Sequence, residues 1–168
     1  MAGLAQTPTP PDEFIGLKWG ISNDEAKQIM KAKGAGYVQR GSGENHLIFS
    51  GATAAGLAVD YWDLYFGGGK FQRGKVGFKD EYDIDGLFKQ VKKILTEKYG
   101  TREKETFKGD PSADWHLTNL GSKDGITIHL YVHSKNRQKH LKLEYINDAL
   151  AKQFPDAPEE KAGQDDKL

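Results

Sequence analysis

The chain has no cysteine. That excludes disulfide staples, thiolate metal sites and a cysteine nucleophile. It leaves the redox compartment open, because cysteine-free chains occur in reducing and oxidising ones alike. Long apolar runs are missing too. No stretch approaches the roughly 20 apolar residues that span a bilayer, so no transmembrane segment is expected. Net charge is absent, with 24 basic residues against 24 acidic ones. The last fifteen residues, Phe154 to Leu168, hold five acids and two lysines, which leaves +3 on the remainder. A nucleic-acid binder presents a more basic face than that to displace counterions from phosphate, and no nucleic-acid partner is expected.

What remains is ample for folding. Hydrophobic residues make up 37% of the 168 and aromatics 11%, enough to bury one core without covalent help and too much for a disordered chain. Residues 1–12 are Thr/Pro-rich and read as an unstructured lead. A single domain is expected over 13–153, and 154–168 reads as a disordered charged tail. Gly3 and Ala5 are small residues spaced like the end of a signal-peptide cleavage site. Export to a periplasm-like compartment and a cytoplasmic location both remain open on that signal.

Phe14 to Trp19 reads as a short strand or an extended lead into a helix. Ser22-Asn-Asp-Glu25 is a capping box, in which the Ser22 hydroxyl accepts from the Glu25 amide. Ala26, Ile29 and Met30 then share one face, and Gly34 offers a left-handed stop, giving a helix over about 23–33. Residues 35–56 are glycine-rich and read as a loop holding one strand, His46 to Ser50. Leu57 to Phe66 and Lys70 to Phe78 form a hairpin around Gly67-Gly68-Gly69. Gly74 and Gly77 in the return strand point to a bulge or a close contact. In Asp83 to Tyr99, the residues Ile84, Leu87, Phe88, Val91, Ile94, Leu95 and Tyr99 recur at helical spacing, with Asp83 or Asp85 as cap and Gly100 as stop.

The remainder reads as an antiparallel meander. Strands are expected at 101–108, 115–120, 126–133 and 139–145, with a short helix over about 147–153. Placing Val132 opposite Leu141, Leu130 opposite Leu143 and Ile128 opposite Tyr145 keeps every apolar side chain on one side, and a one-residue slip destroys that agreement. The fold class is therefore α+β. Two layers are expected, with helices packed on one face of an antiparallel sheet, built from a duplicated helix-plus-meander unit.

The run Phe14-Ile-Gly-Leu-Lys-Trp19-Gly20-Ile-Ser22-Asn-Asp-Glu25 resembles the opening of small exported bacterial domains and lipoproteins. In these a Trp-Gly or Phe-Gly step precedes a Ser-capped helix. The hairpin from Tyr61 to Phe78 and the helix end Leu95-Thr-Glu-Lys-Tyr-Gly100 fit the same pattern. The order of elements is similar to the fold of beta-lactamase-inhibitor proteins and of small outer-membrane assembly lipoproteins. This resemblance covers about 14–146 and rests on capping and packing positions. It implies a scaffold or binder and carries over no catalytic residue.

Chemistry-bearing motifs are scarce. Gly67-Gly68-Gly69-Lys70 lacks P-loop spacing, with Leu64 and Phe71 at the wrong positions, and lies between strands rather than before a helix. No nucleophile elbow surrounds Ser42, Ser50 or Ser122. Asp80, Glu81, Asp83 and Asp85 are accounted for by helix capping, since Val91 stands where a calcium loop needs its bidentate Glu. Two constellations survive. Tyr61, Trp62, Tyr65 and Phe66 fall on both faces of one strand, so some would be exposed and able to contact a protein partner. On the hairpin register, His133 faces His140 and His129 faces Glu144, with His116 on the same side. Three imidazoles and a carboxylate suit zinc or a similar ion. The leading expectation is a non-catalytic binding or accessory domain using an exposed sheet face or the 35–56 segment. The alternative is a metal- or small-ligand-binding protein built on the histidine face.

Overall fold

The Ser22 hydroxyl accepts from the Glu25 amide at 3.2 Å and starts helix α1, Asn23–Ala32. In the computed structural model, which describes residues 8–79, 83–100, 104–106, 110–119 and 122–155, α1 buries Ala26 and Met30. Before it, the expected lead-in is a tight hairpin of β1 (Glu13–Phe14) and β2 (Leu17–Lys18). Its purpose is visible at once: it drives Phe14 into the core.

The largest departure from expectation lies in 35–56. The expected strand is there as β4 (His46–Ser50), but it is flanked by β3 (Gly36–Gly43) and β5 (Thr53–Ala54) where a loop was expected. Strand β3 is an edge strand whose residues are mostly exposed, so the period-2 alternation that marks a half-buried strand is missing from its sequence. The hairpin follows as β6 (Leu57–Gly67) and β7 (Lys70–Phe78). Gly68 and Gly69 take φ of +57° and +74° at its turn, a backbone that glycine adopts without a Cβ penalty.

Helix α2 (Ile84–Tyr99) buries Ile84, Leu87, Phe88, Val91, Leu95 and Tyr99. Ile94, expected in the core, is 38% exposed: the apolar stripe of α2 is wider than the surface it covers. Asp83 stands at the N-cap but makes no side-chain capping bond. The second meander is β8 (Lys104–Thr106), β9 (Ser112–Thr118), β10 (Gly125–Lys135) and β11 (Gln138–Asn147), closed by α3 (Asp148–Gln153). The register is the expected one, with Val132 opposite Leu141, Leu130 opposite Leu143 and Ile128 opposite Tyr145.

Among the described residues the chain is dominated by antiparallel sheet, with three helices. The main sheet runs β3-β4-β6-β7-β11-β10-β9-β8, with β5 paired to β6. The last strands of the two halves, β7 and β11, therefore meet at its middle. One apolar core holds Trp62, Leu64 and Phe66 from β6, Leu143 and Tyr145 from β11, Trp115 from β9, and the buried face of α2. Phe14 sits among Trp62, Phe71 and Tyr145, with ring centroids 6.3, 6.3 and 5.2 Å away. Each tryptophan also donates its indole N–H to a carbonyl: Trp19 to Pro11 at 3.0 Å, Trp62 to Gly51 at 2.9 Å and Trp115 to Gly100 at 3.1 Å. Among the described residues no helix is long and apolar enough to cross a membrane. Gly3, Ala5, Asp80, Glu81 and most of the tail lie outside the described residues.

Candidate binding face

Successive side chains of a strand point to opposite faces. The residues between those that fill the core thus define a second face of the sheet, and it is rich in charge. One row crosses five strands in register: Asp63 on β6, Lys75 on β7, Glu144 on β11, His129 on β10 and Asp114 on β9. The sign alternates along the row wherever charge is fixed. Neighbours in such a row stand about 5 Å apart, so each carboxylate meets a donor and no two acids are adjacent.

The middle of the row is deeply buried. Lys75 is 0% exposed, Asp63 4% and Glu144 6%. A buried charge is costly to desolvate and persists only when paired and hydrogen-bonded. The pairs are present. His46 Nε2 donates to Asp63 Oδ1 at 2.8 Å, the Lys75 ammonium lies 3.9 Å from Asp63 Oδ2, and Arg73 Nε donates to Glu144 Oε2 at 2.8 Å. A parallel row reinforces them. His46, Tyr65 and Arg73 are in register on β4, β6 and β7. The His46 ring stacks on Tyr65 at 4.4 Å, and the Arg73 guanidinium lies 4.6 Å from the same ring. Tyr65 is thus held between an imidazole and a cation, a cation–π arrangement that also buries the ring.

The histidines expected to share a metal do share this face, but His116 and His129 are each bonded to a different partner. His133 stands opposite His140 and His129 opposite Glu144, as the register requires. The His129 imidazole is bonded to Asp114, and Glu144 is taken by Arg73. His116 sits opposite Thr127, with Nδ1 3.1 Å from its hydroxyl and 3.5 Å from Asp148. Thr127 donates to the Asp148 carboxylate at 3.1 Å, so His116 Nδ1 donates to the hydroxyl. That is the reverse of a base activating a nucleophile. The trio instead ties α3 to the sheet. Among the described residues no three His, Asp or Glu side chains converge on a metal position.

The aromatic set divides by parity. Trp62 and Phe66 are fully buried in the core and are unavailable to a partner. Tyr65 is buried within the His46–Tyr65–Arg73 stack, and Tyr61 alone is half-exposed on the charged face. Four residues central to this face, His46, Asp63, Arg73 and Lys75, were not singled out by sequence reasoning. The alternation of Tyr61, Asp63 and Tyr65 against Trp62, Leu64 and Phe66 carries the signal for Asp63. His46 carries none, because its partner is reached only through the β4–β6 pairing.

The comparisons with known proteins leave the geometry to speak alone. No protein-family model, curated protein or solved structure matches the chain.

Proposed function

We propose that the chain is a non-catalytic binding domain that holds another protein against the charged face of its sheet. One observation carries the reading. Along β9 and β10 this face presents Asp114, His116, His129, Tyr131 and His133 as half-exposed side chains on paired strands, while its centre is locked by buried ion pairs. Side chains held on regular strands lose little freedom on association, and a tyrosine among polar groups is a common energetic anchor at interfaces.

Several finer readings belong to the same proposal. Residues 13–153 act as one domain. Each half runs helix then strands, α1 with β3, β4, β6 and β7, and α2 with β8 to β11. The two halves join through their last strands, which supports a duplicated unit. Helices α1 and α2 pack on the core side, α3 is tied to the charged face at His116 and Thr127, and the rest of that face is left for a partner. Export is proposed on the spacing of Gly3 and Ala5, and recovery of the protein only from the cytosolic fraction of its host would overturn it.

The binding reading is tested by replacing Tyr131, His133 or, as a control, the exposed helical Lys89 with a photo-crosslinking phenylalanine in the host cell. Discrete adducts from 131 and 133 and none from 89 are expected. Equal adducts from all three positions, or none from the sheet positions, would sink the proposal.

A further inference from the structure

A cavity of about 520 Å³ lies on the core side of the sheet, between α2 and the β1–β2 hairpin. Its walls include Ile15, Phe78, Val91, Leu95 and Leu143, with Ile94 beside them. This explains the half-open position of Ile94 on α2: it stands beside empty space rather than against a neighbour. The volume is in the range that takes small organic ligands, and such sites combine apolar walls with few polar groups.

The polar groups here are two phenols. Tyr99 and Tyr145 both line the cavity and are 4% and 5% exposed. Their hydroxyls lie 3.4 Å apart and bond to one another. Two hydroxyls carry two protons, and one bond between them uses one. Neither phenol makes another hydrogen bond among the described residues. One O–H proton is therefore left without an acceptor at a buried position, which is uncommon for a buried tyrosine. Burial, and then the neighbouring Tyr99, hold the Tyr145 phenol far above its ordinary range, so the group stays protonated and able to donate.

The mouth carries Asp12, Glu13 and Lys98. Two acids against one cation give no attraction for an anion, and an anion inside would lose its hydration without a paired charge. We propose that this cavity binds a small, uncharged, mainly apolar molecule bearing a carbonyl-type acceptor, which takes the spare phenol proton.

The test uses 2-acetylnaphthalene and its isostere 2-ethylnaphthalene, titrated separately into the full chain and followed by amide NMR. The ketone is expected to bind saturably and to shift residues 91–99 and Ile15. Ile94→Glu, at an exposed position that tolerates charge, should abolish binding while leaving the remaining spectrum folded. Either single variant, Tyr99→Phe or Tyr145→Phe, leaves one donor and should keep the preference for the ketone. The double variant removes both donors and should lower the ketone-to-hydrocarbon affinity ratio on the order of fivefold, the worth of one hydrogen bond. No saturable shift, shifts confined to another region, or full binding in Ile94→Glu would overturn the site. An unchanged ratio in the double variant would overturn the role of the phenols.

Discussion

Strand β7 shows two kinds of cohesion three residues apart. At Gly74 the missing side chain leaves room for the ring of Phe14 on the apolar face, and at Gly77 it leaves room for the ring of Tyr61 on the charged face. Phe14 is fully buried among other rings, whereas Tyr61 is half-exposed beside Lys142, whose ammonium lies 6.0 Å from its centroid. On the apolar side, attraction is non-directional and follows the area removed from water. On the charged side it is pairwise, and each group depends on a particular neighbour. The same pleat therefore tolerates different injuries on its two sides.

The comparison can be broken most forcefully at Phe14. Phe14→Ala empties a fully buried ring site and is expected to cost about 4 kcal/mol in chemical denaturation. A loss below about 1 kcal/mol would show that the hairpin does not seal the core. Next comes Lys75→Met, which keeps the stem but removes the cation between Asp63 and Glu144. The expected loss is about 3 kcal/mol, because the cation between two buried carboxylates is gone and His46 and Arg73 are left to balance them. Adding Asp63→Asn should recover part of it, and strict additivity of the two changes would contradict a pairwise charged face.

A sharper contrast comes from the two glycines. Gly74→Ala should cost about 1–3 kcal/mol by forcing the fixed Phe14 ring aside. Gly77→Ala should cost less, since Tyr61 has solvent on one side. Equal losses would mean that the two faces are equally rigid. The pH arm is smaller. Tyr145 has a raised folded-state pKa, so its contribution is complete below about pH 10, the ordinary phenol value. Above that pH the unfolded chain ionises and the folded one does not, and stability falls by up to about 1.4 kcal/mol per pH unit. Tyr145→Phe should flatten this fall, and a parallel slope in the variant would assign the loss elsewhere. The smallest effect is expected from zinc. With His116, His129 and Glu144 each already engaged, saturating zinc should leave Tm unchanged. A rise in Tm that disappears in His133→Ala with His140→Ala would reinstate a metal role for that end of the sheet.

Much of the second half was legible. The alternation of Ile126, Ile128, Leu130 and Val132 admits one register with β11, and that is the register found. Ser22 declares its helix through a bond to a residue three positions on. Strand β3 was not legible, because an exposed edge strand with Gly36, Gly41 and Gly43 presents no alternating pattern. The binding face was legible only in part. Parity put the histidines and Glu144 on one side, but not that Arg73 and Asp114 would occupy Glu144 and His129. Nor could it show that Tyr99 and Tyr145, both read as apolar core positions, would bring their hydroxyls together beside a cavity.

By itself the sequence determined what depends on residues near one another: helix starts, the turn at Gly68-Gly69, and which side chains of one strand lie together. Those are set by hydrogen bonds and steric limits spanning a few residues. The tertiary structure decided the order β6-β7-β11, which sets Lys75 between Asp63 and Glu144 across 69 positions of chain. That order follows from burying two half-sheets against shared helices and rings, a sum over the whole core that no local pattern contains.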